Sequence, residues 1–338
     1  MKNILVVNVN WIGDVVLSSP IFKALKEQYP NAKVSCLGPP RVKDILECIH
    51  GVDSVIVYDE KGAHLSIFSK IKLIYEISSM KFDIVFLLHG SFTRALLVFL
   101  AGIPKRVGYG TKKRSMLLTH KVPFLGKDVH RRDYYLNVIE SFGVSVRDRA
   151  TFIKSDEESQ SVVNNIFREN NVEKSDFVVV VNVGGNWDLK RWPKNNFSIL
   201  IDRLIKEYKA KVIMSGSSKD IELTKEICLD LEYRPLILAG KQKLKELIAL
   251  LEKSDLVISA DSGPIHLASS VGVKVVGIFG PTRPEITGPR GNERGVILQR
   301  DVGCNREPCY HLDCNDNVCM KAITVEDIID EVKKVKSK

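Results

Sequence analysis

Long apolar runs are what this 338-residue sequence most conspicuously lacks. None reaches the roughly 20 residues of a membrane-crossing helix. The opening MKNILVVNVNWIGD has the lysine and apolar run of a signal peptide, but Asn8, Asn10 and Asp14 interrupt it and no small-residue cleavage site follows. A cytoplasmic protein is therefore expected. Glycine signatures of common nucleotide enzymes are missing as well. The first turn, Asn8-Val9-Asn10-Trp11-Ile12-Gly13, has no G-x-G-x-x-G, which argues against a dinucleotide cofactor. No G-x-x-x-x-G-K-[ST] loop and no G-x-S-x-G elbow occur, which excludes P-loop phosphoryl transfer and a hydrolase serine. There is no helix-turn-helix, no zinc finger and no interleaving of aromatic and basic residues, so nucleic acid is not an expected partner.

What is present suits a soluble globular protein of two domains: 44% hydrophobic and 27% charged residues. The net charge of +9 is unevenly placed. Residues 1–150 hold 22 Lys+Arg against 13 Asp+Glu, and residues 151–338 hold 28 against 28. The whole excess lies in the first half, as it would for a face that meets a phosphorylated or acidic partner, or for a solvated basic surface.

Apolar, β-branched runs alternate with helical patterns along the chain. Strands are predicted at 4–9, 33–37, 55–58, 84–88, 177–183, 211–214, 236–240, 256–258 and 273–279. Helices are predicted at 15–29, 95–101, 195–206, 244–252 and 325–336. Each half therefore reads as a doubly wound α/β sheet, whose ligands bind outside the carboxyl ends of the strands. Asp14 falls there in the first half, and Lys190 in the second. In the stretch Ser259–Thr282, Asp261 or Ser262 can cap the following helix and Pro264 fits its first turn. The unpaired N–H groups of such a helix start attract an anion, above all a phosphate, although an ordinary βαβ unit fits the same residues. A carboxylate to deprotonate an acceptor, with a lysine and helix N–H groups to stabilise a departing diphosphate, suits group transfer. No divalent metal is needed where those groups supply the positive field.

Four of the seven cysteines, Cys304, Cys309, Cys314 and Cys319, are each separated by four residues. Four thiolates suit a structural zinc, though the spacing is not the paired C-x₂-C form; redox pairing and plain free thiols fit too. Cys36, Cys48 and Cys228 lie in strand or helix contexts and read as core thiols.

Several motifs follow one another in a telling order: Ile12-Gly13-Asp14-Val15-Val16, Ser18-Ser19-Pro20, Lys190-Arg191-Trp192-Pro193, Gly216-Ser217-Ser218-Lys219-Asp220, Asp261-Ser262-Gly263-Pro264-Ile265-His266 and Gly280-Pro281-Thr282. Over nearly the whole chain this resembles the glycosyltransferase family 9 heptosyltransferases. The resemblance implies a GT-B fold, that is, an α/β fold of two Rossmann-like doubly wound domains facing a central cleft. Residues 1–165 would bind the acceptor and 176–322 the nucleotide sugar, with a last helix in 323–338 packing back on the N-terminal domain. It implies inverting transfer of heptose from an ADP-sugar donor to the phosphorylated inner core of lipopolysaccharide. No cofactor would be required, and the enzyme would contact the inner face of the inner membrane peripherally. By the match Asp14 is the general base and Lys190 a donor-phosphate contact. Gly13, Gly185, Ser217, Lys219, Asp261, Ser262, Gly263 and His266 would complete the donor site. Ser91, Arg94, Arg106, Lys112, Lys113 and Arg131 would meet the acceptor. Two other functions stay open on the residues: transfer from another nucleotide sugar to a surface glycan, and a catalytically idle nucleotide-binding partner in envelope assembly.

Overall fold

The computed structural model describes residues 1–111, 113–185, 187–290, 295–304, 309, 314 and 316–337. The chain divides into two compact units, Met1–Ile153 and Lys154–Lys338. The first holds a sheet of β1 (Asn3–Val7), β2 (Lys33–Gly38), β3 (Ser54–Val57), β4 (Ile84–Leu87), β5 (Lys105–Tyr109) and β6 (His120–Val122). Its order is β3-β2-β1-β4-β5-β6, with every pairing parallel. The second holds β7 (Val178–Asn182), β8 (Lys211–Ser215), β9 (Leu236–Ile237), β10 (Leu256–Ala260), β11 (Lys274–Ile278) and β12 (Val296–Leu298). Its order, β12-β11-β10-β7-β8-β9, is the same topology repeated, again all parallel.

Parallel sheets are covered on both faces, which is why the central strands are unbroken apolar runs rather than alternating ones. Every residue of β4, β7 and β10 is buried. In the first unit Leu5, Val7, Val85 and Leu87 share one core cluster with Leu73, Ile77, Ala95 and Val98 from two helices. In the second, Val179, Val181, Ile258 and Ile278 pack with Leu200, Leu204 and the terminal helix.

Local chemistry accounts for the departures from expectation. The single helix predicted from residue 15 to 29 is two helices, Ile12–Ser18 and Pro20–Gln28. Pro20 has no N–H to continue the first helix and opens the second instead. Asp14 thus lies inside a first turn rather than ahead of it. An unpredicted helix, Ile67–Ser79, turns Leu73 and Ile77 inward but leaves Ile67, Phe68, Ile71 and Tyr75 exposed, so no single apolar stripe marks it. The last helix, Val325–Lys336, opens with a capping box of Thr324 and Asp327. Its apolar face, Ile328, Ile329 and Val332, is buried in the second unit's core. Ile329→Ala should therefore destabilise the intact protein by about 2–5 kcal/mol in urea denaturation. A loss below about 0.5 kcal/mol, the range of surface changes, would contradict that packing.

Candidate active site

In both sheets the strand order reverses at one place: between β1 and β4 in the first unit, and between β7 and β10 in the second. At such switch points the loops leaving adjacent strands diverge to opposite faces and open a crevice for ligands. Asp14 follows β1, and His89, Ser91 and Arg94 follow β4. Gly185 and Lys190 follow β7, and Asp261, Ser262 and Gly263 follow β10. Each unit has thus gathered predicted residues at its own switch point.

In the first unit Asp14 sits beside Gly13 in the first turn of its helix, where the N–H dipoles favour a negative charge. Trp11 occupies the N-cap position and no side chain caps the helix. The Tyr135 hydroxyl donates to Asp14 Oδ1 at 2.8 Å. Burial, then the adjacent Asp14 charge, pushes the Tyr135 hydroxyl well above its ordinary range, so it remains a donor. One carboxylate oxygen is therefore oriented, while the other has no hydrogen-bond partner among the described residues. Beside it, the buried Arg94 guanidinium donates to the Asn8 carbonyl at 2.8 Å and to Asn10 Oδ1 at 2.7 Å. It also reaches Glu60 Oε1 at 3.3 Å. Asn8 accepts from Val9 N at 2.7 Å and Ser18 Oγ at 3.1 Å. Arg94 thus braces the turn that carries Asp14.

The remaining predicted acceptor contacts are placed differently from one another. Ser91 caps helix Phe92–Leu100 by accepting from Arg94 N. Arg106 donates from Nε to the Leu117 carbonyl at 2.6 Å and stacks on Phe99, holding the loop after β5. Lys113 and Arg131 are exposed, and Arg131 lies over the Tyr134 ring. Lys112 lies outside the described residues. Two groups escaped the sequence reading. Arg114 is buried and donates to the Leu87 carbonyl at 3.2 Å, while its Nε has no partner among the described residues. His89 sits between Asn10 Nδ2 and Ser91 N, at 3.0 and 3.1 Å. Burial and the Arg94 charge hold its imidazole down at about 4, so it is neutral at pH 7.

In the second unit Asp261, 6% exposed, is the hub. Its Oδ2 accepts from Lys190 Nζ at 2.5 Å and from Thr282 Oγ1 at 2.6 Å, and its Oδ1 lies 4.0 Å from His266 Nε2. The capping expected of Asp261 or Ser262 is not made. Asp261 is drawn to Lys190 and Thr282, and Ser262 Oγ lies within bonding distance of Asn182 Nδ2 and Ser259 Oγ. Ser262, at the N-cap position of helix Gly263–Val271, makes no side-chain capping hydrogen bond. The helix's first N–H groups are left available to an anion, and Pro264 supplies none. Lys190 also lies over the Trp187 ring at 5.3 Å. Asn182, at the end of β7, ties this turn together by donating to the Gly184 carbonyl and Ser259 Oγ.

Ser217 forms a capping box with buried Asp220, which accepts from Ser217 N at 2.8 Å and pairs with Arg191 at 3.5 Å. Gly184 approaches Asp220 so closely that a Cβ would lie 2.3 Å from its carboxylate. Gly185 accepts from Arg191, and Lys219 is exposed. Asn182 was not singled out from the sequence, because a single polar residue at a strand end carries no periodic signal, and Arg191 and Asp220 entered only as members of longer motifs, without a role of their own.

Cys304, Cys309, Cys314 and Cys319 line one pocket with Leu189 and Pro281. Among the described residues no group of three or more His, Cys, Asp or Glu is placed to hold a metal ion. Cys309 is pinned through its N–H to the Pro281 carbonyl at 2.7 Å, Cys319 packs beneath Gly280, and Cys304 stays exposed.

Two Rossmann-like units, one with an open helix start and one with an oriented carboxylate, are the parts of a group-transfer enzyme. The profile of glycosyltransferase family 9 (heptosyltransferase) matches residues 70–315. Lipopolysaccharide heptosyltransferase 2 of Escherichia coli (strain K12) is 26% identical over 310 residues, covering 87% of each chain. The crystal structure of a family 9 glycosyl transferase from Veillonella parvula DSM 2008 superposes with a TM-score of 0.88 at 25% identity, covering 99% of this chain and 97% of that one. The solved E. coli ADP-heptose lps heptosyltransferase II, at 23% identity, gives a TM-score of 0.82 and covers 99% and 98%. The chain belongs to glycosyltransferase family 9; it is a glycosyltransferase of the GT-B fold class.

His89 makes stability depend on pH. Its folded-state value is about 4 against an ordinary 6.5, so between those values the unfolded chain binds the extra proton. Stability should fall as pH drops from 6.5 to 4. The urea midpoint should track this, and His89→Gln should flatten the slope in that window. An unchanged slope would show that His89 is not held neutral.

Proposed function

We propose that the protein transfers heptose from ADP-heptose to the phosphorylated inner core of lipopolysaccharide, with inversion at the anomeric carbon. Family membership supports the sugar and acceptor class, and the E. coli relative's name carries both. The observation that carries the mechanism is the pairing of an uncapped helix start beside Lys190–Asp261 with a carboxylate held in place by Tyr135. The second unit holds the donor and the first unit the acceptor.

The donor diphosphate lies over the N–H groups at the start of Gly263–Val271, with Lys190 and Lys219 supplying positive charge. Asp261 is too buried to face the phosphate and acts by positioning Lys190. The acceptor hydroxyl donates its proton to Asp14 as its oxygen bonds to the anomeric carbon. The carbon–oxygen bond to the diphosphate breaks on the opposite side, and ADP leaves with the electron pair. Stabilising that charge lowers the barrier because the donors are already oriented. Exposed Arg131 and Lys113, in the basic half of the chain, suit the acceptor's phosphates. No helix among the described residues is long and apolar enough to cross a membrane. We place the enzyme at the inner face of the inner membrane, where a lipid-anchored acceptor is reached from the cytoplasm.

Asp14→Asn should lower kcat by about 10²–10⁴-fold, the usual share of a general base, with ADP affinity unchanged. Turnover near wild type would remove Asp14 from that role. In a donor panel, turnover confined to UDP-sugars or to hexose donors would remove the heptose assignment.

A further inference from the structure

Helix Ile67–Ser79 breaks the usual rule for a helix covering a sheet. It buries Leu73 and Ile77, yet turns Ile67, Phe68, Ile71 and Tyr75 to solvent, Phe68 at 81% exposed. At 100° per residue these four side chains fall on one stripe about 100° wide. Leu65, just before the N-cap Ser66, is exposed beside them. Helix Phe92–Leu100 packs next to it on the same face of the sheet and turns Phe92, Phe99 and Leu100 outward. Scattered exposed apolar residues are ordinary, but a run of this kind over two adjacent helices marks a docking face.

The charges around this face are basic. Lys61, Lys70 and Lys72 flank the stripe, and their ammonium groups make no ion pair or hydrogen bond among the described residues. Glu76 is the one acid on helix Ile67–Ser79. The two acids of the preceding loop are engaged internally: Asp59 accepts from Ala63 N, and Glu60 pairs with Arg94. Both helices also start at the carboxyl edge of the sheet, where Asp14, His89 and Arg94 lie.

We propose that this face docks the first unit on an anionic lipid bilayer. Phe68, Ile67, Ile71 and Tyr75 enter the headgroup region while Lys61, Lys70 and Lys72 meet the lipid phosphates. A second copy of the chain is the poorer occupant, because a two-fold contact would bring the same lysines face to face. The choice of lipid rests on the proposed lipid-anchored acceptor, since a docked face would hold the acceptor edge of the sheet against the surface from which that glycan projects.

The test is co-sedimentation of the full-length protein with phosphatidylglycerol–phosphatidylethanolamine vesicles, without donor or acceptor. Wild type should partition onto them, less so in high salt and less on neutral phosphatidylcholine. Phe68→Glu/Ile71→Glu should partition at least about tenfold less, as two charges on the stripe that enters the headgroup region would dictate. Phe68→Trp should show blue-shifted emission on the anionic vesicles, an independent readout in a variant that keeps the apolar face. Absent binding by wild type, equal binding by the double variant, or an unshifted Phe68→Trp spectrum each overturn the proposal. So does a halving of the solution mass by the double variant with no vesicle dependence, which would assign the face to self-association. Because vesicle binding needs no sugar nucleotide, a failed transferase reading would leave it standing. Failed docking would likewise leave transfer to a lipid-free core fragment intact.

Discussion

The second unit is organised by one buried carboxylate. Taking Asp261 out of water is tolerable only if it is paired and hydrogen-bonded, and breaking such a pair from one side costs roughly 3–5 kcal/mol. Lys190 and Thr282 answer that demand on one oxygen. They come from the loops after β7 and β11, while Asp261 follows β10, so one charge ties the loops leaving three adjacent strands. The arrangement has a second effect. A carboxylate committed to Lys190 and Thr282 cannot cap the helix that follows it. The N-terminus of Gly263–Val271 is left with its donors open, the condition an anion site requires.

The first unit uses the opposite charge in the same way. The buried Arg94 guanidinium joins the turn after β1, through Asn8 and Asn10, to the loop after β3, through Glu60. It also suppresses the charge on His89. The turn that carries Asp14 is thereby fixed from beneath, and Tyr135 fixes the carboxylate from the side. Rigid support of this kind lets a carboxylate act as a base without first reorganising.

Much of this was legible in the sequence. Buried parallel strands leave unbroken apolar runs, so β1, β4, β7, β10 and β11 could be read directly, and Asp14, Lys190 and Asp261 were singled out because chain order places them in the segments that follow strands. Two short edge strands, β6 and β12, of three residues each, were not legible. Helix Ile67–Ser79 hid because its apolar residues face two ways. Arg94 was read as a surface contact, yet it is buried, since a basic residue at a helix start gives no sign of which neighbour needs its charge. Arg114 and Asn182 are single polar residues whose importance arises from burial, which sequence alone does not display. The four-cysteine spacing pointed to a metal, and in the structure the four cysteines line one pocket.

The central claim is that the open helix start after β10 receives the donor's diphosphate. Backbone amide resonances of the ¹⁵N-labelled protein, followed as ADP is added, test it most directly. Gly263, Ile265 and His266 should shift first and saturably, and Lys190→Ala should weaken the ADP affinity they report. Saturable shifts confined to other regions, such as the Asn10–Asp14 turn, with those three amides unmoved, would contradict it.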